Sequence, residues 1–436
     1  MNIFNFIKNN CYLIIPIICF IFWALLSLIK DHFSLDPADF DVFYYAGKYI
    51  TTQPLNLYSG PAGQFFNLPI IAYLFSPLSI FDYNIAKWIY FFILLFLGVI
   101  AIIEFNKILI IKNTNKIIRF LCLMAMVNGH LILQEYDFLN IKIIVLLLVV
   151  IFLRREVELS SFGRERNKYS TLIIQLIILN LIIAFIPHFL YIVPIYLLYG
   201  NSYKKYLCKS QIMKYSLFFI LFFAMNFMFL MIPSLITDFL YGFSHVKVFG
   251  LNFYDITPEM IMENKWFTPV NTLAIISLFF EIDTLIFSII SIVCMVLITC
   301  LLFLNQKISL EKKFGFLALS SLFLNIYFKH TNFLFTVPLI LILFVDYSPK
   351  PSNIENYRKL NSYKIFIMEN YLFLIGIIFL ALLIFLPPLF YIYVIIPILR
   401  LIPLYLIIFY YTYIYIIILI CLLLILRSRT KIESNV

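Results

Sequence analysis

The sequence predicts an all-α, polytopic integral membrane protein, and three observations carry that prediction. Of its 436 residues, 64% are hydrophobic and only 12% are charged, far from the composition of soluble domains. Apolar runs of about 20 residues, the length that crosses a bilayer core as a helix, recur along the chain. None of them alternates with period two. That excludes a β-barrel and leaves helices, which satisfy their own backbone hydrogen bonds. Residues 1–436 read as one transmembrane domain without a soluble domain of any size.

The first run, Cys11 to Ile29, lacks a small-residue cleavage site and precedes further spans, so it reads as an anchor. Leu68–Phe81 is short for a span and carries Pro69 and Pro77; it reads as re-entrant or interfacial. Asn84–Glu104 is then the second span. Further spans are expected near 119–134, 139–153, 216–236, 284–304, 315–328, 333–346, 371–388 and 404–426. The stretch 171–200 splits at Pro187 into two short arms. Together these make a bundle of about 10–12 transmembrane helices.

The basic residues orient the bundle. Most of the 32 Lys and Arg residues gather in a few loops, among them Lys107–Arg119, Arg154–Lys168, Lys204–Lys214, Lys307–Lys313 and Lys350–Lys364. The positive-inside rule places these loops and both termini in the cytoplasm. The net charge of +10 is therefore a topology signal, and nucleic acid is not an expected partner. No pair of the seven cysteines has metal-ligand spacing, so neither a zinc site nor a disulfide framework is expected.

Two long segments fall outside, 30–83 and 237–271, and both lean acidic. Ionisable groups near a bilayer are costly and mark sites or pathways by default. Those outside the basic loops collect at the outer ends of spans: Asp39 and Asp41; Glu135, Asp137 and Lys142; His188; Glu281 and Asp283; Lys329 and His330; Arg400. Each also has a structural reading. Lys329 and Arg400 suit headgroup contact, and Glu135 and Asp137 suit capping of the helix that begins near Leu139. Asp39 and Asp41, two residues apart, project about 200° from each other on a helix, so one site takes one of them.

The stretch "DFDVFYYAGKYITTQPLNLY" (Asp39 to Tyr58) resembles the first outer loop of the polyprenol-phosphate-mannose-dependent mannosyltransferases, glycosyltransferase family 87 of the GT-C membrane superfamily. On that register Asp39 is the family's acidic position, Asp41 a variable one, and Leu57-Tyr58 closes the motif. "FNLPIIAYLFSPLSIFDYNIAKWIY" resembles the following proline segment through Pro69, Pro77-Leu78, Ala86 and Trp88. "YDFLNIKIIVLLL" is similar to a Gly-Gln-x-Asn span opening, keeping Asn140. "FIPHFL" keeps the proline of a Lys-Pro element at Pro187. "PVNTLAII" resembles an Asn-x-Ser-Leu element at Asn271, and "FKHTNFLFTVPLILIL" a late histidine turn at His330.

The resemblance implies a GT-C-like bundle with interfacial helices in the first outer loop. It also implies transfer of a mannose-like hexose from a polyprenyl-phosphate sugar to a hydroxyl of a lipid-linked or cell-envelope glycan, at the outer face of the plasma membrane. Such chemistry needs a carboxylate to take the acceptor's proton and cationic or hydrogen-bonding groups to receive the departing phosphate. Asp39 is the expected base, with Asp41 as orienter or substitute. Lys329, His330, Arg400 and, less directly placed, His188 are the expected phosphate partners. Asn271 and Tyr58 complete the substrate-binding set, and Phe43, Tyr44 and Tyr45 could stack on sugar or pack at the interface. No cofactor is expected; Asp-x-Asp could hold a divalent cation, but a lipid-phosphate leaving group does not demand one. Two other readings fit the same pattern, a transporter or flippase of lipid-linked sugars and a polysaccharide polymerase or ligase.

Overall fold

The computed structural model describes residues 3–30, 38–58, 65, 67–114, 116–127, 132, 135–162, 169–186, 190, 192–198, 207–244, 247–248, 251–252, 284–304, 308–324 and 333–346. The described chain is helical apart from a two-rung antiparallel ladder pairing Lys247 with Asn252 and Val248 with Leu251. The helices are α1 (Ile3–Lys30), α2 (Ala38–Thr52), α3 (Pro69–Phe75), α4 (Tyr83–Ile111), α5 (Lys116–Met126), α6 (Lys142–Phe162), α7 (Tyr169–Phe185), α8 (Ile192–Leu198), α9 (Leu207–Met225), α10 (Met228–Met231), α11 (Ser234–Ser244), α12 (Thr284–Leu304), α13 (Leu310–Leu324) and α14 (Phe333–Asp346).

Among the described residues, two helices are long and apolar enough to cross a membrane: Asn10–Leu28 within α1 and Tyr83–Ile111, which is α4. Only 28% and 39% of their apolar windows are buried. A core helix of a soluble protein is covered all round, whereas these two turn large apolar side chains outward, such as Phe22 (55% exposed) and Phe96 (66%).

The contacts give the helices their directions. Tyr12 of α1 lies under the Arg119 guanidinium of α5 at 4.7 Å, and α1 continues until Phe20 fills the space left by Gly98 of α4. Glu104, late in α4, is paired with Arg154, late in α6; at their other ends Tyr90 and Asn140 both approach Asp39. So α4 and α6, the most extensively packed pair, run the same way. Lys112 at the end of α4 pairs with Glu311 at the start of α13 at 3.0 Å, and Gly315 of α13 abuts Leu339 and Leu343 of α14. α4 and α6 thus finish at the end where α1, α5 and α13 begin. That end holds Lys107, Lys112, Arg119, Arg154 and Lys313 together with Glu104 and Glu311; the other holds Asp39, Asp41, Asp82 and Glu135 together with Lys87 and Lys142. Along α4, Tyr83 and Glu104 are separated by about 30 Å, the thickness of a bilayer core.

The segment read as re-entrant folds as α3 followed by a 3-10 turn, Ser76–Ile80. It is stitched to the ends of other helices. Asn67 Nδ2 donates to Phe185 O at 2.6 Å, and Leu68 N–H donates to Ala184 O at 3.3 Å; both acceptors belong to the final turn of α7, where carbonyls have no helical partner. Ile70 N–H, in the first turn of α3, donates to Asn226 Oδ1 at 3.4 Å. These bonds pair backbone groups at the start of α3 and the end of α7 that helical bonding leaves without partners. Asn67→Leu is expected to strand the Phe185 carbonyl and destabilise the protein by about 1–3 kcal/mol, read as a lower thermal-aggregation temperature in detergent.

Two expected spans are corrected. In place of one helix over 216–236, α9, α10 and α11 are separated at Asn226 and Pro233; the Asn226 side chain bonds Phe222 O at 2.9 Å, and proline supplies no N–H to continue the ladder. The span expected over 139–153 continues as α6 through Arg154 and Arg155 to Phe162. There the Arg154 side chain meets Glu104 and, at 3.2 Å, Glu158. Helices 284–304 and 333–346 have the expected limits. The break expected near Pro187 falls between α7 and α8, though Pro187 itself and the spans at 371–388 and 404–426 lie outside the described residues.

Candidate functional site

Asp39 and Asp41 occupy the first turn of α2, where the helix dipole favours negative charge. Aromatic packing fixes this helix. Phe40 is fully buried and stacks on Tyr90 of α4 (centroids 5.2 Å, 20° between planes), and Phe43 stacks on Phe75 of α3 (5.0 Å, 25°). Tyr44 donates its hydroxyl to Phe81 O at 2.8 Å. Gly47 is buried directly against the backbone of Phe75 and Ser76. Alternate faces of α2 are therefore committed, and the two carboxylates leave it in different directions.

Asp39, half-buried, accepts a hydrogen bond on Oδ2 from the Asn140 carboxamide. Asp41 accepts one on Oδ1 from the Tyr83 hydroxyl, whose ring carries the Lys87 ammonium at 5.7 Å. Beside Asn140, the Lys142 ammonium pairs with Glu135 Oε1 at 3.2 Å, and Glu135 is almost fully buried. Tyr90 and Tyr136 close the inner side. Tyr90 is buried, its hydroxyl within electrostatic reach of both Glu135 and Asp39 and without a hydrogen-bond partner among the described residues. Tyr136 packs edge-on against Phe91 and Phe20 at 5.2 and 6.0 Å.

The structure thus joins three separate pieces of chain, the starts of α2, α4 and α6, around Asp39. The carboxamide engages one oxygen of the carboxylate, and among the described residues the other accepts no hydrogen bond. Asp41, facing Tyr83, belongs to a different contact.

Tyr58 lies away from this cluster. Its hydroxyl donates to Asn67 O at 3.1 Å and its ring packs on Phe65 and Phe239. Burial, with the Asp238 charge adding to it, pushes the phenol well above its ordinary range, so it remains a neutral donor. Phe43 and Tyr44 are buried, whereas Tyr45 keeps partial exposure and stacks between Tyr49 and Tyr83. His188, Asn271, Lys329, His330 and Arg400, together with Glu281 and Asp283, lie outside the described residues. Among the described residues no group of three His, Cys, Asp or Glu side chains is placed to hold a metal ion.

Sequence reasoning marked Glu135 and Lys142 as misplaced charges but did not attach them to Asp39, and it missed Tyr90. The spacing of seven between Glu135 and Lys142, with Asn140 between them, was the available signal. Tyr90 had none, because a tyrosine in "WIYFFILLF" reads as packing. Comparison of the chain with protein-family models, with curated proteins and with solved structures finds no match.

Proposed function

We propose that this chain is a multi-pass plasma-membrane glycosyltransferase of GT-C type. It moves a mannose-like hexose from a polyprenyl-phosphate sugar to a hydroxyl of a lipid-linked or cell-envelope glycan, with inversion at the anomeric carbon. The observation that carries this reading is the hydrogen bond from Asn140 to Asp39. The resemblance marks these two positions independently, on segments 101 residues apart. The opposed directions of α1 and α4, and the Lys and Arg residues gathered where α4 ends, support a polytopic arrangement, with that end in the cytoplasm by the positive-inside rule.

In this reading the acceptor hydroxyl approaches the free oxygen of Asp39. The carboxylate takes the hydroxyl proton as the oxygen bonds to the anomeric carbon. The bond from that carbon to the phosphate oxygen breaks, and its electron pair leaves with polyprenyl phosphate. A single base suffices for one inverting displacement, so the paired carboxylates of retaining glycosidases are not required. Lys329, His330, Arg400 and His188 remain the candidate partners of the leaving phosphate, and Asn271 and Tyr58 candidates for the sugar.

The test uses membranes containing the full chain and a radiolabelled polyprenyl-phosphate hexose. Asp39→Asn is expected to lower transfer about 10³-fold, the usual worth of a general base, whereas Asp41→Asn changes it less than about tenfold. Transfer that survives Asp39→Asn and disappears with Asp41→Asn reverses the roles. Transfer indifferent to both removes the reading with an Asp base in this loop; no transfer by the unaltered chain, together with movement of the intact lipid-linked sugar across the membrane, would replace the enzyme with a transporter.

A further inference from the structure

Between Glu135 and Lys142 the chain turns through a backbone conformation that leucine rarely adopts. Leu139 has φ = 47°, the left-handed region usually left to glycine or asparagine. The turn is closed by two backbone bonds, Asn140 N–H to Glu135 O at 3.0 Å and Leu139 N–H to Tyr136 O at 3.3 Å. This is the pattern that normally ends a helix on glycine. A comparable turn at the end of α4 places Asn113 at φ = 52°, with Thr114 N–H bonded to Leu109 O at 3.0 Å, and asparagine tolerates that conformation. At position 139 a fully buried leucine does the same work against its own preference. Strained backbone persists where surrounding contacts over-determine it.

Those contacts are specific. Leu139 and Tyr136 are anchored in the core, and the Glu135–Lys142 ion pair spans the two ends of the turn at 3.2 Å. Two residues before Lys142, the Asn140 side chain projects to Asp39. The same short segment that is strained, bridged and anchored therefore carries the carboxamide that touches the candidate base.

We infer that Glu135 to Lys142 forms a positioning clip, in which the ion pair across the strained turn holds the Asn140 carboxamide on Asp39 and so fixes which carboxylate oxygen is free. Glu135 and Lys142 act through Asn140, and neither is assigned a role in bond making. The purpose of the clip rests on the glycosyl-transfer reading; its geometry does not, and the experiment separates the two.

The purified full-length chain in lipid nanodiscs is treated with a membrane-permeant carbodiimide and an amine, and modification of each carboxylate is followed by mass spectrometry. Lys142→Met is expected to raise Asp39 modification about fivefold, the factor by which one ordinary hydrogen bond holds a contact closed, with Asp41 and Asp82 essentially unchanged. Lys142→Arg is expected to keep the wild-type pattern, and the exchanged pair Glu135→Lys with Lys142→Glu to restore it if the single variant folds poorly. In an Asn140→Leu background, Lys142→Met is expected to add nothing. Unchanged Asp39 modification in Lys142→Met overturns the clip. So does a parallel rise at Asp41 and Asp82, which marks general loosening, or a further rise in the Asn140→Leu background. Where membranes transfer sugar, Lys142→Met is also expected to lower kcat while leaving the donor KM unchanged. Absence of transfer in the Asp39 experiment leaves the labelling pattern intact, so either reading can fail without the other.

Discussion

Gly47→Val is expected to abolish a stable fold around Asp39, and Gly47→Ala to destabilise it measurably. A Cβ at position 47 would stand 2.7 Å from the Phe75 carbonyl carbon, 2.8 Å from its oxygen and 2.9 Å from Ser76 N. All three are main-chain atoms, so no side chain can rotate away, and α2 must lift from α3. Overpacking of this kind costs about 1–3 kcal/mol, with valine beyond the upper end. Total stability is only about 5–15 kcal/mol. The opposing effect is that alanine favours a helix over glycine by up to about 1 kcal/mol. The sign of the alanine result is therefore informative. A lower temperature of thermal aggregation in detergent supports the close approach, and a rise would mean that α2 and α3 do not touch here.

The second large effect is expected at the basic end. Lys112→Met removes the partner of Glu311, whose side chain is 4% exposed. Breaking a buried pair leaves one charge uncompensated and costs about 3–5 kcal/mol, whereas replacing both members by apolar groups is often nearly neutral. Lys112 keeps some access to water, at 13% side-chain exposure, so the lower part of that range applies. Glu311→Gln should be milder than Lys112→Met, and the double change Lys112→Met with Glu311→Leu milder than Lys112→Met alone. Thermal stability of the three variants in the same detergent gives the order; additive losses would mean that the pair is not coupled.

The two spanning-length helices were legible because an apolar run is itself the signal, and the short prolines-and-turns segment at Leu68–Phe81 was legible because Pro69 and Pro77 interrupt one. The failures share a cause. At Arg154 hydropathy ends but the helix does not, because Glu104 and Glu158 compensate the charge that hydropathy counts against the span. Hydropathy locates a change of solvent, and hydrogen bonding locates the end of a helix. At Asn226 the opposite holds, since apolarity continues while the ladder stops at a side chain that bonds α3. In the site, the divergence of Asp39 and Asp41 followed from helical geometry alone. Their separate partners, Asn140 and Tyr83, required the packing of α4 against α6, which no single segment encodes.

The ion pair between Lys112 and Glu311 also sets a clock. Its members are 199 residues apart, and a ribosome adding about 5–20 residues per second makes the second roughly 10–40 s after the first. By then α4, α5 and α6 have all been synthesised and can already have docked. The end of α4 is therefore finished well before Glu311 and α13 exist to pair with it. This bond joins an end that is made early to a helix that is made late.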